Sequence, residues 1–174
     1  MQRDLTSGKI TGNLLKFAFP LMIGNLLQQC YNVADTWVVG QFLGSDALAA
    51  VGSSYTLMTF LTSILLGLCM GSGAAFSMQY GKKDYERLKC CMFESFVLIA
   101  GITLFVNLVV FLGLDGIVWL LQTPAEIVGL MKEYLWVIFW GIGATFLYNF
   151  FASLLRALGN SAVPLVFLGV SAAL

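Results

Sequence analysis

The sequence contains no histidine. That absence removes histidine-based catalytic triads, histidine metal sites and histidine proton relays together. Charge is scarce as well: 10% of the 174 residues are charged, against about 25% in a soluble domain. Formal net charge is zero, so there is no basic footprint for nucleic acid, and no nucleic-acid partner is expected. Cysteine is limited to Cys30, Cys69, Cys90 and Cys91, with no paired metal spacing. All four sit in or beside apolar runs and read as small buried apolar residues. There is no GxGxxG, no P-loop and no carboxylate pair within a span. Ser72, between Gly71 and Gly73, lacks a partner base, and the lysines sit at the edges of the spans. The chain is not expected to be an enzyme, and no cofactor is expected.

What is present is apolar surface. Hydrophobic residues make up 59% of the chain and the mean hydropathy is +0.88. This is the composition of an integral membrane protein, and the expected fold is all-α: a polytopic bundle of transmembrane helices. Spans are expected at about 14–39, 47–80, 90–114 and 134–155, with an incomplete fifth at 164–174. The first is too long, and too polar inside, for a removable signal peptide. It exceeds a hydrocarbon core of ~30 Å, so tilt or a bend at Pro20 is expected. The second is rich in small residues, and Gly67 with Gly71 forms a GxxxG pair expected to pack closely against a neighbour. Gly81–Lys89, GKKDYERLK, reads as a solvated loop. Glu94 is placed to snorkel or to pair with a base of that loop. Asn107 reads as an interhelical hydrogen bond. Gly113–Glu126 reads as a loop, with a helix start at Pro124. Trp119, Tyr134, Trp136 and Trp140 read as an interfacial aromatic belt. The run after Pro164 stops after eleven residues, where a span needs about 20, so the sequence reads as part of a longer protein.

One stretch inside the first span is different. Asn25, Gln28, Gln29, Asn32, Asp35 and Thr36 recur at the spacing of one helical face, and Tyr31 borders it. Lipid offers no hydrogen bonds, so that face must turn toward protein or water. A charge at the bilayer centre costs about 2.5–3.5 kcal/mol even on insertion scales. Asp35 serves either a helix–helix hydrogen bond or a site for a proton or cation. A carboxylate in a partly dry cavity can load and unload a proton, because desolvation raises its affinity for one. It can equally pair with Na⁺ or with a cationic substrate. Gln28, Asn32 and Thr36 supply neutral oxygens, and Tyr31 supplies a ring face for a cation. Asn149, deep in the fourth span, reads as a packing bond.

The bases give an orientation. Arg3, Lys9 and Lys16 precede the first span; Lys82, Lys83, Arg87 and Lys89 join the second and third; Arg156 follows the fourth. Of the nine bases only Lys132 falls near the other side. The positive-inside rule then predicts a cytoplasmic N-terminus.

Four stretches, taken in order, resemble the multidrug and toxic compound extrusion (MATE) family. They are FAFPLMIGNLLQQCYNVADTWVVGQFLGSDALAAVG (Phe17–Gly52), GLCMGSGAAFSMQYGKKDYERL (Gly67–Leu88), YLWVIFWG (Tyr134–Gly141) and LLRALGNSAVPL (Leu154–Leu165). The resemblance implies a fold of twelve helices in two pseudo-symmetric lobes, of which this chain holds the N-terminal lobe as far as its fifth helix. It implies a multi-pass protein of the plasma (inner) membrane. Its implied activity is secondary antiport: export of organic cations or other amphipathic drugs in exchange for H⁺ or Na⁺. It places Asp35 at the family's first-helix carboxylate, where Na⁺ is one possible occupant, with Gln28 and Tyr31 lining the same cavity. Asn149 matches a fourth-helix cavity position more loosely. The implied partners are a small amphipathic or cationic substrate, membrane lipid and the C-terminal remainder of the transporter. Two alternatives stand beside this: a lipid-linked sugar flippase of the same superfamily, and a non-transporting membrane fragment. The flippases usually line their cavity with bases, whereas no Arg or Lys falls in the central part of any span here.

Overall fold

The computed structural model describes residues 10–120, 124 and 126–173. Arg3 and Lys9, used above for orientation, lie outside them. The described residues form five helices and no strand: α1 (Ile10–Phe42), α2 (Gly44–Gly81), α3 (Tyr85–Leu120), α4 (Val128–Ala157) and α5 (Ala162–Ala173). α2, α3 and α4 are long and apolar enough to cross a membrane. α1 has 33 residues, so length is not its limit. Asn25, Gln28, Gln29, Asn32 and Asp35 dilute its apolar run. Pro20 lies inside α1 without ending it.

The helix ends follow local chemistry. Leu43 alone separates α1 from α2, and Gly44 takes φ +88°, a left-handed conformation a glycine adopts freely. α2 and α4 close with the same motif. After α2, Asp84 N–H donates to Gln79 C=O (3.1 Å) and Lys83 N–H to Tyr80 C=O (3.0 Å). After α4, Asn160 N–H donates to Leu155 C=O (2.9 Å) and Gly159 N–H to Arg156 C=O (3.0 Å). The left-handed residue is Gly159 in one (φ 80°) and Lys83 in the other (φ 59°). A side chain there costs roughly 1–2 kcal/mol. Asp84 then caps α3, its Oδ1 accepting the Arg87 N–H at 3.1 Å. Asn160 Oδ1 does the same for Val163 N–H at 3.2 Å, opening α5.

The core lies between α2, α3 and α4. Cys69, Phe76, Ile99, Met131, Leu135 and Phe139 are all but sealed from solvent. Phe76 meets Phe150 edge-on at 5.9 Å, and Phe96 bridges to Phe146 and Phe150 at 5.5 and 5.3 Å. The pairing of levels gives the directions. Leu61 and Leu65 share a crevice with Ile142, while Gly73 meets Ser153, so α2 and α4 run the same way. Asn107 and Asp115 of α3 meet Phe139 and Lys132 of α4, so α3 runs the other way. α1 packs on α2 and α5, but no Cα of α1 comes within 8 Å of α3 or α4.

Several sequence expectations change. Gly113 and Gly116 do not end α3; Val118 is buried beyond them, and its burial draws the helix on to Leu120. α4 begins at Val128 rather than Pro124, after a turn in which Ile127 N–H donates to Pro124 C=O. Gly67 and Gly71 touch no neighbour. They stand about 200° round α2 from Cys69 and Gly73, the residues that face α4. Gly73 makes the close approach instead: its neighbour Ser153 donates its hydroxyl to Cys69 C=O at 2.6 Å. Of the cysteines only Cys69 is buried; Cys91 is half-buried, and Cys30 and Cys90 are exposed. Glu94 pairs with no base among the described residues and instead accepts the Cys90 thiol at 3.3 Å. Asn107 does bridge helices, its amide donating to Phe139 C=O at 2.9 Å.

Candidate functional site

α1 positions the candidate site. Asp35 lies in its last third, with Tyr31 one turn below and Gln28 two turns below. All three are exposed. Gly24, a turn further down the same seam, lets α5 close in; a Cβ there would sit 3.5 Å from Leu165. The seam is therefore covered by α5 at its lower part and open above it.

The other polar residues of α1 divide. The Asn32 amide donates to Gln29 Oε1 at 3.1 Å, and the Thr36 hydroxyl donates back to Asn32 C=O at 2.8 Å. Both spend their donors on their own helix, as Ser and Thr commonly do in apolar surroundings. Asp35 makes no hydrogen bond or ion pair among the described residues. It does interact electrostatically with Tyr134 of α4, as does Tyr31. Tyr134 is thus within electrostatic reach of Asp35 and Tyr31, although no Cα of α1 comes within 8 Å of α4.

Tyr134 was expected in the aromatic belt. Trp136 and Trp140 do cluster, meeting at 5.9 Å and both touching Phe111. They are four residues apart and share a face; Tyr134 stands about 200° round from Trp136. That spacing was the available signal. Asn149 does not join the group. It lies about 22 Å further along α4 than Tyr134, and its amide donates to Thr145 C=O of its own helix at 2.8 Å. No three acid, cysteine or histidine groups converge among the described residues. No acid beyond Asp35 would therefore contribute to a cation shell there; neutral oxygens or water would complete it.

A family profile described as MatE matches residues 20–174. The chain belongs to the MatE family. It is similar to the probable multidrug resistance protein YpnP of Bacillus subtilis (strain 168), 33% identical over 171 residues, covering 98% of this chain and 38% of that protein. It is also similar to the multidrug export protein MepA of Staphylococcus aureus (strain NCTC 8325 / PS 47), 31% identical over 159 residues, covering 88% of this chain and 34% of that one. A crystal structure of MATE in the bent conformation superposes with a TM-score of 0.86 at 24% identity, over 96% of this chain and 37% of the other. One in the straight conformation gives 0.80 at 26%, over 93% and 36%. The chain thus spans little more than a third of the length of these relatives.

Proposed function

We propose that this chain supplies the N-terminal part of a secondary antiporter that exports organic cations or other amphipathic drugs in exchange for H⁺ or Na⁺. The observation that carries the reading is Asp35, the carboxylate on the polar face of α1. Among the described residues it has no hydrogen-bond or ion-pair partner, it lies one turn from Tyr31, and it is within electrostatic reach of Tyr134 of α4. A carboxylate without a hydrogen-bond partner among the described residues, with two phenols in its vicinity, suits a cation. The acid supplies charge, the rings supply polarisable faces, and Gln28 supplies an oxygen one turn from Tyr31. The same acid can exchange that cation for a proton or Na⁺, because only one positive charge is favoured beside it at a time. The names of the relatives, multidrug resistance and multidrug export proteins, support drug efflux in general.

On this reading the protein is a transporter rather than an enzyme. It is multi-pass in the plasma (inner) membrane with its N-terminus cytoplasmic. Because the chain covers 38% of YpnP's length, rocking between two lobes requires a C-terminal remainder as partner. Cells expressing the protein should retain less ethidium than control cells, and Asp35→Asn should restore retention to the control level. An Asp35→Asn protein that expels ethidium as well as the native one would sink the reading.

A further inference from the structure

The turn between α2 and α3 carries two lysines that the structure leaves without an acid. Asp84 and Glu86, the acids of this segment, are taken by Arg87 (3.8 Å) and Lys89 (2.9 Å). Lys82 and Lys83 form no ion pair among the described residues. Arg156, at the end of α4, forms none either, and its Nε is buried with no hydrogen-bond partner. α2 and α4 run the same way, so these three bases emerge at one end of the bundle. Both helices are long and apolar enough to cross a membrane, which sets that end at headgroup level. Tyr80 and Tyr85, with rings 6.3 Å apart, flank the turn, as amphipathic rings do at a lipid–water boundary.

The backbone adds a second, independent sign. Lys83 occupies the left-handed position of the helix stop, where the matching stop of α4 uses Gly159. Glycine would satisfy the same two backbone bonds without strain. The Lys83 side chain is exposed at this turn. We infer that this end of the bundle is a docking surface for the phosphate of an anionic phospholipid, held by Lys82 and Lys83, with Arg156 adding positive charge at the same end.

The test is lipid selectivity of the full chain in phosphatidylcholine bilayers, read by spin-labelled phosphatidylglycerol against spin-labelled phosphatidylcholine. The native chain should prefer phosphatidylglycerol. Lys83→Gly should lower that preference about fivefold, Lys82→Gln with Lys83→Gly further, and molar salt should erase it. Lys83→Gly relieves strain, so loss of folding does not account for its effect; circular dichroism checks the helicity. Equal affinity of the native chain for the two lipids would overturn the inference. So would unchanged selectivity in the Lys82→Gln/Lys83→Gly chain. Displacement of the lipid by millimolar inorganic phosphate would overturn it too, since it would mark a small-anion site instead.

Discussion

The contact between Gly73 and Ser153 yields the most quantitative prediction. A Cβ built on Gly73 overlaps the Ser153 hydroxyl, which is itself held on Cys69 C=O at 2.6 Å. The next nearest atoms, Ser153 C=O at 3.5 Å and Cβ at 3.6 Å, are ordinary contacts. Gly73→Ala must therefore displace the hydroxyl. Overpacking of this kind costs about 1–3 kcal/mol, and losing an interhelical hydrogen bond in a membrane adds about 0.6 kcal/mol. Against this, alanine gains about 1 kcal/mol of helix propensity over glycine. The net expectation is a destabilisation of roughly 1–2 kcal/mol. Gly71→Ala is the internal control: nothing lies within 4 Å of its Cβ, so only the propensity gain of up to ~1 kcal/mol remains. Adding Ser153→Ala to Gly73→Ala removes the obstructing atom, so the pair should be less destabilised than the sum of its members. Reversible unfolding in detergent micelles, followed by circular dichroism, measures Gly73→Ala, Gly71→Ala, Ser153→Ala and the pair against the native protein. If Gly73→Ala is as stable as Gly71→Ala, or Ser153→Ala brings no relief, the α2–α4 packing described here is wrong.

Other outcomes follow from the same structure. Phe76→Ala removes a fully buried ring that meets Phe150 at 5.9 Å, and should destabilise by about 3–5 kcal/mol in the same unfolding assay. Lys83→Gly relieves a left-handed residue costing about 1–2 kcal/mol, offset by about 0.5–1 kcal/mol of glycine backbone entropy, and should raise stability by about 1 kcal/mol. The pair between Lys132 and Asp115 joins α4 to α3 with Asp115 largely exposed. Lys132→Gln should therefore cost less than about 1 kcal/mol, and less again at high salt.

Much of this was legible in the sequence because the bilayer simplifies the problem. Apolar runs of spanning length separated by Gly, Lys and Asn clusters mark helices with few alternatives, and a polar stripe on one of them marks a face that avoids lipid. What was not legible depended on which face meets which neighbour. The Gly67–Gly71 spacing gives a smooth stripe, but the spacing does not say whether a helix lies against it, and the partner α4 chose the Gly73 side. Asn32 and Thr36 read as cavity residues, yet their side chains can satisfy themselves on α1, and they do. Tyr134 read as an anchor because aromatic residues near span ends usually are. Only the relative placement of α4 and α1 brings it within electrostatic reach of Asp35. The end of α3 moved because burial of Val118 outweighs two glycines, a tertiary effect that local propensity does not contain.

On the proposed reading, Asp35 couples the movement of a cationic drug to that of a small cation. Drug-dependent H⁺ and Na⁺ flux, measured in energised vesicles holding the native or the Asp35→Asn protein, tests it most directly. Flux of one of the two ions is expected with the native protein, and none with Asp35→Asn. Equal flux with both proteins would contradict it.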